Sequence, residues 1–304
     1  MITKQHSFFT SPAAPYTALV LAMIIWGGSF VALKVSFRYF HPLFVVFMRQ
    51  LLASIVFIPL VWKHFRKIRK QDIKWLILMS LFEPCIYYLF EAKALTLTSA
   101  SQAGMITALL PVLVAIPSAL FLKEHISKRT IIGFTLAIIG VIFLSLSGEA
   151  TKKSPNPVFG NFLEFLAMVS AAGYTVILKK LSSRYSPFFL TAIQAFMGTI
   201  FFAPVLLFLP ESREMILTTQ SVLIVAFLGI IVTIGAYGFY NFGTSKIPAS
   251  QSAAFVNLIP VITIILSMLL LGERLAPFQY AAAVLVIFGV IFSQDRTKEE
   301  VPVY

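Results

Sequence analysis

Two carboxylates, Glu83 and Glu91, stand in otherwise apolar sequence with Tyr87 midway between them. On a helix these positions fall at i, i+4 and i+8, one polar stripe over about 12 Å of rise. Carboxylates in such a setting can hold an ammonium group or take up a proton. The plainer alternative is an internal ion pair with Arg49 or Lys93 that only fixes helix packing. Arg49, also alone in an apolar run, can receive a carboxylate or pair with an acid. Pro84 lacks an amide donor beside Glu83 and predicts a bend in the helix that carries the stripe.

Rings with polar tips and amides can complete a pocket around these charges. Trp26, Tyr87, Tyr88, Tyr174, Tyr237 and Tyr240 supply the rings, and Gln102, Asn241 and Asn257 the amides. Tyr237, Tyr240 and Asn241 make the tightest cluster. Lys34 and Lys179 stand near expected helix ends, where long basic side chains snorkel. Glu164 falls early in an expected helix, where a carboxylate at the membrane interface suits the positive helix end. Glu124 and Glu273 are expected to cap the helices that follow them. No metal or cofactor is expected. Cys85 is the single cysteine, the four histidines (His6, His41, His64, His125) fall in the tail or in loops, and no His-Glu-x-x-His run occurs.

The elements that must position these groups follow from composition. With 59% apolar and 12% charged residues and a mean hydropathy of +0.90, the chain is not a soluble globular protein, for which about 25% charge is ordinary. A helix needs about 20 apolar residues to cross hydrocarbon. Such spans read at roughly 15–36, 43–62, 75–95, 98–122, 130–147, 159–181, 188–209, 219–243, 248–271 and 277–293. The first span is too long for a signal peptide core and is expected to be retained.

The 24 Lys and Arg residues against 12 acids give +12, which in a soluble protein would suggest nucleic acid. Here the basic residues divide by loop. On the side of the N-terminus lie Lys4, then Lys63, Arg66, Lys67, Arg69, Lys70 and Lys74, then Lys123, Lys128 and Arg129. Lys179, Lys180, Arg184, Lys246, Arg296 and Lys298 bring that side to 16 of the 24. Lys34, Arg38, Lys93, Lys152, Lys153, Arg213 and Arg274 lie opposite. The excess orients the chain with both termini cytoplasmic in the plasma membrane, so no nucleic-acid partner is expected.

The chain also repeats itself. Residues 100–144 lie over 249–293 without a gap, so that Ala100-Ser101-Gln102 meets Ala249-Ser250-Gln251 and Gly140-Val141-Ile142-Phe143 meets Gly289-Val290-Ile291-Phe292. Upstream, Gly28, Lys34, Pro42 and Pro59 meet Gly173, Lys179, Pro187 and Pro204. Five spans per copy force the second copy to enter the membrane upside down. Inverted repeats of this kind place a binding site between the halves, and rocking one half against the other gives alternating access. Pro111 and Pro260, at matched places, should bow their helices around a cavity. Val232 and Tyr240 stand where Glu83 and Glu91 stand in the first copy, so the acidic stripe belongs to one half. Gly133, Ala137 and Gly140, with Ala281, Ala282 and Gly289, offer close-packing faces for scaffold or homodimer contacts.

These residues resemble the drug/metabolite transporter superfamily in its ten-helix EamA-type branch. The resemblance rests on Trp26-Gly27-Gly28-Ser29-Phe30, on Pro42 followed by Arg49, and on Thr98-Ser99-Ala100-Ser101-Gln102 running to Pro111. Glu124, Glu273 and the stretch from Pro248 to Pro260 add to it. It implies a carrier of small molecules in a lipid bilayer, in a superfamily whose members handle amino acids, other metabolites, drugs and nucleotide sugars.

The expected fold is an all-α membrane protein of ten transmembrane helices in two inverted five-helix repeats. Residues 1–14 form a cytoplasmic tail, 15–147 the first repeat, 148–158 a linker, 159–293 the second repeat and 294–304 a second tail. The expected function is secondary active transport, as an exporter, of a small polar or amphipathic metabolite, amino-acid-like by family analogy. Substrate-binding or proton-coupling residues are expected among Glu83, Glu91, Arg49, Tyr87, Trp26, Tyr237, Tyr240, Asn241 and Asn257. No Gly-x-x-x-x-Gly-Lys-Ser/Thr run is present to suggest ATP hydrolysis. The alternatives are a membrane-embedded enzyme, for which no catalytic motif is found, and a regulatory membrane protein.

Overall fold

The computed structural model describes residues 11–122, 127–148, 150–208 and 215–293. Ten helices follow one another: α1 Ala14–Ser36, α2 Pro42–Val61, α3 Lys70–Leu97, α4 Ala100–Leu122, α5 Lys128–Leu146, α6 Pro157–Leu181, α7 Pro187–Phe202, α8 Thr219–Lys246, α9 Ala249–Leu271 and α10 Pro277–Ser293. Seven of them are long and apolar enough to cross a membrane, and α5, α7 and α10 contain shorter apolar stretches. The described residues contain no β-strand beyond one isolated bridge, Thr151 to Ser154. The protein is all-α, multi-pass and built as two five-helix repeats.

Local chemistry sets the helix ends. Ser99, Asn156 and Ser186 accept from the amides of Gln102, Phe159 and Phe189, and Thr218 forms a capping box with Ser221. Proline opens α2, α6 and α7 in the first turn, where its missing donor costs nothing. Gly272 closes α9 with φ of 67°. The helix α7 is shorter than its apolar run: it stops at Phe202, ahead of Pro204, with one further turn at Val205–Phe208.

The outer surfaces are apolar, unlike those of a soluble bundle, and charged and amide groups are enclosed within a largely apolar interior. Ile55, Leu60, Ile142, Leu269 and Val284 are exposed, whereas Arg49, Glu83, Glu91, Glu164, Gln194 and Asn241 are buried. Helix α1 packs on α8 and α9 of the other repeat, and α6 correspondingly packs on α3 and α4; α2 meets its mate α7 and α5 its mate α10. The repeats are therefore interleaved rather than set side by side. The small-residue faces of α5 and α10 are consumed in that last contact. A Cβ on Gly140 would stand 2.7 Å from Val286, and one on Gly289 2.6 Å from the Ala137 nitrogen.

Helices α3, α4, α8 and α9 are interrupted at matched positions. Tight turns at Thr107–Leu109 and Phe255–Asn257 precede Pro111 and Pro260, as the two prolines predicted. Wide turns occupy Leu81–Ile86 in α3 and Phe227–Ala236 in α8. At the first of these Glu83 takes extended dihedrals, φ −146° and ψ 118°. Its carbonyl accepts from Gln194 Nε2 at 3.1 Å, and that of Phe82 from Ser170 Oγ at 2.6 Å. Donors from α6 and α7 thus replace bonds that the break in α3 removes.

Matched lysines tie helix ends together. Lys34 donates to the carbonyls of Leu95, Thr98 and Lys153, and Lys179 to those of Thr244, Ser245 and Ile247. Each caps the carbonyl end of α3 or α8 rather than simply snorkelling to water. Glu273 also departs from its expected role. Its carboxylate accepts from the Ala100 and Ser101 amides at 3.0 and 2.9 Å, so it caps α4. Gln279 serves α10 instead, accepting from the Ala276 amide at 2.9 Å. Glu124 lies outside the described residues.

Helix α7 reaches the break in α3 because residue 198 is glycine. A Cβ there would stand 2.7 Å from Pro84 Cγ and 3.0 Å from Gln50, and a proline ring cannot swing aside. Gly198→Ala is expected to destabilise the purified protein by about 1–3 kcal/mol, read as a lower thermal midpoint in detergent. An unchanged midpoint would show that the α3–α7 contact is loose.

Candidate functional site

The break in α3 puts the Glu83 side chain at a cavity between the repeats. It encloses about 500 Å³ of unfilled space, the open mouth included. Walls come from α1, α2, α3, α4, α6, α8 and α9, so both copies contribute. Of the expected site residues, Trp26, Arg49, Glu83, Tyr87, Glu91, Tyr237 and Tyr240 line it.

Glu83 accepts from the Tyr237 hydroxyl at 2.5 Å through Oε1, and its other oxygen accepts no hydrogen bond from a described residue. Tyr237 also meets Tyr88 at 2.7 Å between hydroxyls. These two tyrosines occupy matched places in the two repeats, so the copies touch through this bond. Glu91 accepts from Tyr87 at 2.7 Å within the same helix stripe.

Arg49 is almost fully enclosed at 1% exposure. Its Nε donates to Thr233 Oγ1 at 2.9 Å, and its guanidinium lies over the Tyr88 ring, 4.6 Å from the centroid. Nη2 is buried without a hydrogen-bond partner among the described residues. No acid pairs with it: among the described residues the one ion pair is Arg184 to Asp72, at 2.5 Å, on the rim of the bundle. Lys93 is exposed. The ion-pair alternative for the acidic stripe is therefore not what the structure contains.

Aromatic faces close the rest of the wall. Trp26 stands 5.0 Å from the ring centres of both Tyr237 and Tyr240, and Tyr174 stands 6.2 Å from Tyr240. Tyr240 is held by Thr175 at 3.1 Å. Asn241 sits one layer behind. It accepts from Tyr174 and donates to Thr191 and Gln194, at 2.9 and 3.1 Å, which makes it a support for the wall and not part of its surface.

Three residues stand elsewhere than the sequence suggests. Asn257 does not line the cavity: its Nδ2 donates to the Ala254 carbonyl at 2.7 Å within the tight turn before Pro260, which directs it along its own helix. Glu164 is fully enclosed by protein rather than exposed near the start of α6, and neither carboxylate oxygen has a hydrogen-bond donor among the described residues. Gln102 joins Thr98 and Asn161 in a separate buried cluster away from the cavity.

Sequence reasoning did not single out Ser29, Thr107, Thr175, Met168 or Gln194. The first four line the cavity, and Gln194 supports both Glu83 and Asn241. Gln194 carried a usable signal, an amide in the middle of an apolar span. The hydroxyl residues carried none, since Ser and Thr bond back to their own helix, as Ser29 does to Trp26 and Thr107 to Gly104.

A buried acid and a buried guanidinium that form no ion pair, together with ring faces, line one cavity between the repeats. Known proteins agree with the architecture. The chain is 29% identical over 296 residues to the "Uncharacterized transporter YetK" of Bacillus subtilis (strain 168), covering 93% of this chain and 88% of that one. It is 30% identical over 277 residues to an "Uncharacterized transporter" of Archaeoglobus fulgidus, covering 90% and 96%. A solved crystal structure at 18% identity covers 93% of this chain and 97% of its own with a TM-score of 0.65, which supports the fold. Residues 14–146 and 158–293 each match the same family profile, one per repeat, and the chain belongs to the EamA-like transporter family.

Proposed function

We propose that this transporter is secondary active and exports a small metabolite bearing both an ammonium and a carboxylate, as an amino acid does. The observation that carries the reading is the unpaired opposition in one cavity: among the described residues, a Glu83 oxygen has no donor and the buried Arg49 Nη2 has no acceptor. A ligand with both charges satisfies both groups at once. Trp26, Tyr237 and Tyr240 offer ring faces to the ammonium end, and Tyr88 keeps the guanidinium in place.

Glu83 can hold a proton or an ammonium group, not both at the same oxygens. Exchange of one for the other ties the two fluxes in opposite directions. The basic loops favour cytoplasmic termini in a plasma membrane, where an inward proton gradient then drives the substrate outward. The sequence has no P-loop, in keeping with a gradient as the energy source. Given the interleaved packing, the units that rock are α1 with α8 and α9 against α6 with α3 and α4, hinged where α2 meets α7 and α5 meets α10.

The test is efflux from proteoliposomes preloaded with a panel of labelled amino acids, with the buffer on one face made acidic. Wild-type protein is expected to release at least one member faster with the gradient than without it. Glu83→Gln should lower that rate at least about tenfold, equivalent to ~1.4 kcal/mol of lost charge-assisted binding. An unchanged rate with unchanged pH dependence would overturn the assignment of Glu83. Asn257→Ala, away from the cavity wall, is expected to stay within about twofold of wild type in the same assay; a tenfold loss would place that amide on the path.

A further inference from the structure

Glu164 is the buried acid that the exchange at Glu83 leaves unused. Both of its oxygens are enclosed in protein without a hydrogen-bond donor among the described residues. On α6 it precedes Met168, Ala171 and Thr175 at helical spacing, and those three line the cavity. Glu164 therefore continues the cavity face by one turn toward the Pro157 end of the helix. Glu91 continues the α3 stripe toward the same end, and this part of α3 packs along α6. The helices touch closely there: a Cβ on Gly160, one turn before Glu164, would stand 3.1 Å from the carbonyl oxygen of Ala94, one turn after Glu91, and Tyr87 donates to Glu91 at 2.7 Å.

We infer that Glu91 and Glu164 form a proton-holding carboxylate pair, a second proton site set apart from the substrate-contacting Glu83. Two ionised carboxylates enclosed together would each lose hydration and would repel one another. One proton shared by the pair removes the repulsion and supplies Glu164 with a partner charge state it can tolerate. No other group does so. Around the pair, α3 offers Glu83, Tyr87 and Tyr88, α2 offers Arg49, which forms no ion pair with either acid, and α1 offers Lys34, held on the carbonyls of Leu95, Thr98 and Lys153. From α8 come Tyr237 and Tyr240, engaged with Glu83 and Thr175. The spans of α4 and α9 have no titratable residue, and α5 has only Lys128 and Arg129, at its opposite end.

The inference rests on the transport reading for its use, not for its occupancy. A proton enters the pair from water on one side and leaves to water on the other, without a bond to the substrate being formed.

Dicyclohexylcarbodiimide, which modifies protonated carboxyl groups in apolar surroundings, tests the pair without any substrate. The full chain in phosphatidylethanolamine and phosphatidylglycerol vesicles is treated over a pH series and its modified peptides are counted by mass spectrometry. Wild-type protein is expected to be labelled at Glu164 or Glu91 near about pH 7, where exposed carboxylates are ionised. In Glu91→Gln, with the like charge gone, labelling of Glu164 should fade about one pH unit lower than in wild type. Glu83→Gln should leave the Glu164 profile where it is. Absence of labelling at both acids in wild type, which requires no variant to fold, would overturn the pair. So would an unmoved profile in Glu91→Gln, or an equal movement in Glu83→Gln. Failure of the amino-acid efflux assay would leave these outcomes intact, so the two readings fall separately.

Discussion

Backbone polar groups inside a bilayer need partners within the protein, and the structure is organised around the one place where a first-repeat helix breaks that rule most severely. Pro84 and the extended Glu83 interrupt α3, and the carbonyls of Phe82 and Glu83 turn sideways to Ser170 and Gln194. Both donors belong to the second repeat. The first repeat cannot satisfy its own interruption, so assembling the two copies and building the site are a single event. The same break removes Glu83 from an ordinary helical position and places its carboxylate beside Tyr237, again from the second repeat.

Symmetry supplies the scaffold and departures from it supply the chemistry. Lys34 and Lys179 close α3 and α8 in the same manner, wide turns recur in those helices, and Tyr88 meets its own counterpart Tyr237. None of these features distinguishes one copy from the other. The charges do. Val232 and Tyr240 replace the two acids of the α3 stripe in the second copy, and in the first copy Leu19, fully buried, occupies the place that Glu164 holds in the second. A cavity with acids on one wall and a guanidinium on another can orient a ligand, which a strictly symmetric cavity could not.

The ten helices were legible because length and hydropathy are properties of a segment by itself, and prolines marked the interruptions at Pro84, Pro111 and Pro260. The stripe of Glu83, Tyr87 and Glu91 was legible for the same reason, since a single helix fixes its own faces. What depended on neighbours was not. Glu273 was expected to cap the helix that follows it, yet the positive end that lies beside it belongs to α4, distant in sequence. Glu164 sits early in α6, yet α3 and α4 pack against that helix and it is enclosed, which its own segment does not encode. Asn257 and Asn241 were alike as amides in apolar spans; only packing separates the one turned along its own helix from the one bracing the cavity wall. The small faces of α5 and α10 correctly marked close helix contact, and the partner turned out to be the other helix of the same chain.

In the proposed exchange, Glu83 trades a proton for the ammonium group of its substrate. Proton release on substrate addition, measured with an indicator dye in weakly buffered detergent solution of the purified protein, tests it most directly. An amino acid bound by the protein is expected to release protons from wild type, and Glu83→Gln to suppress the release. Saturable binding to wild type with no change in proton content would contradict it.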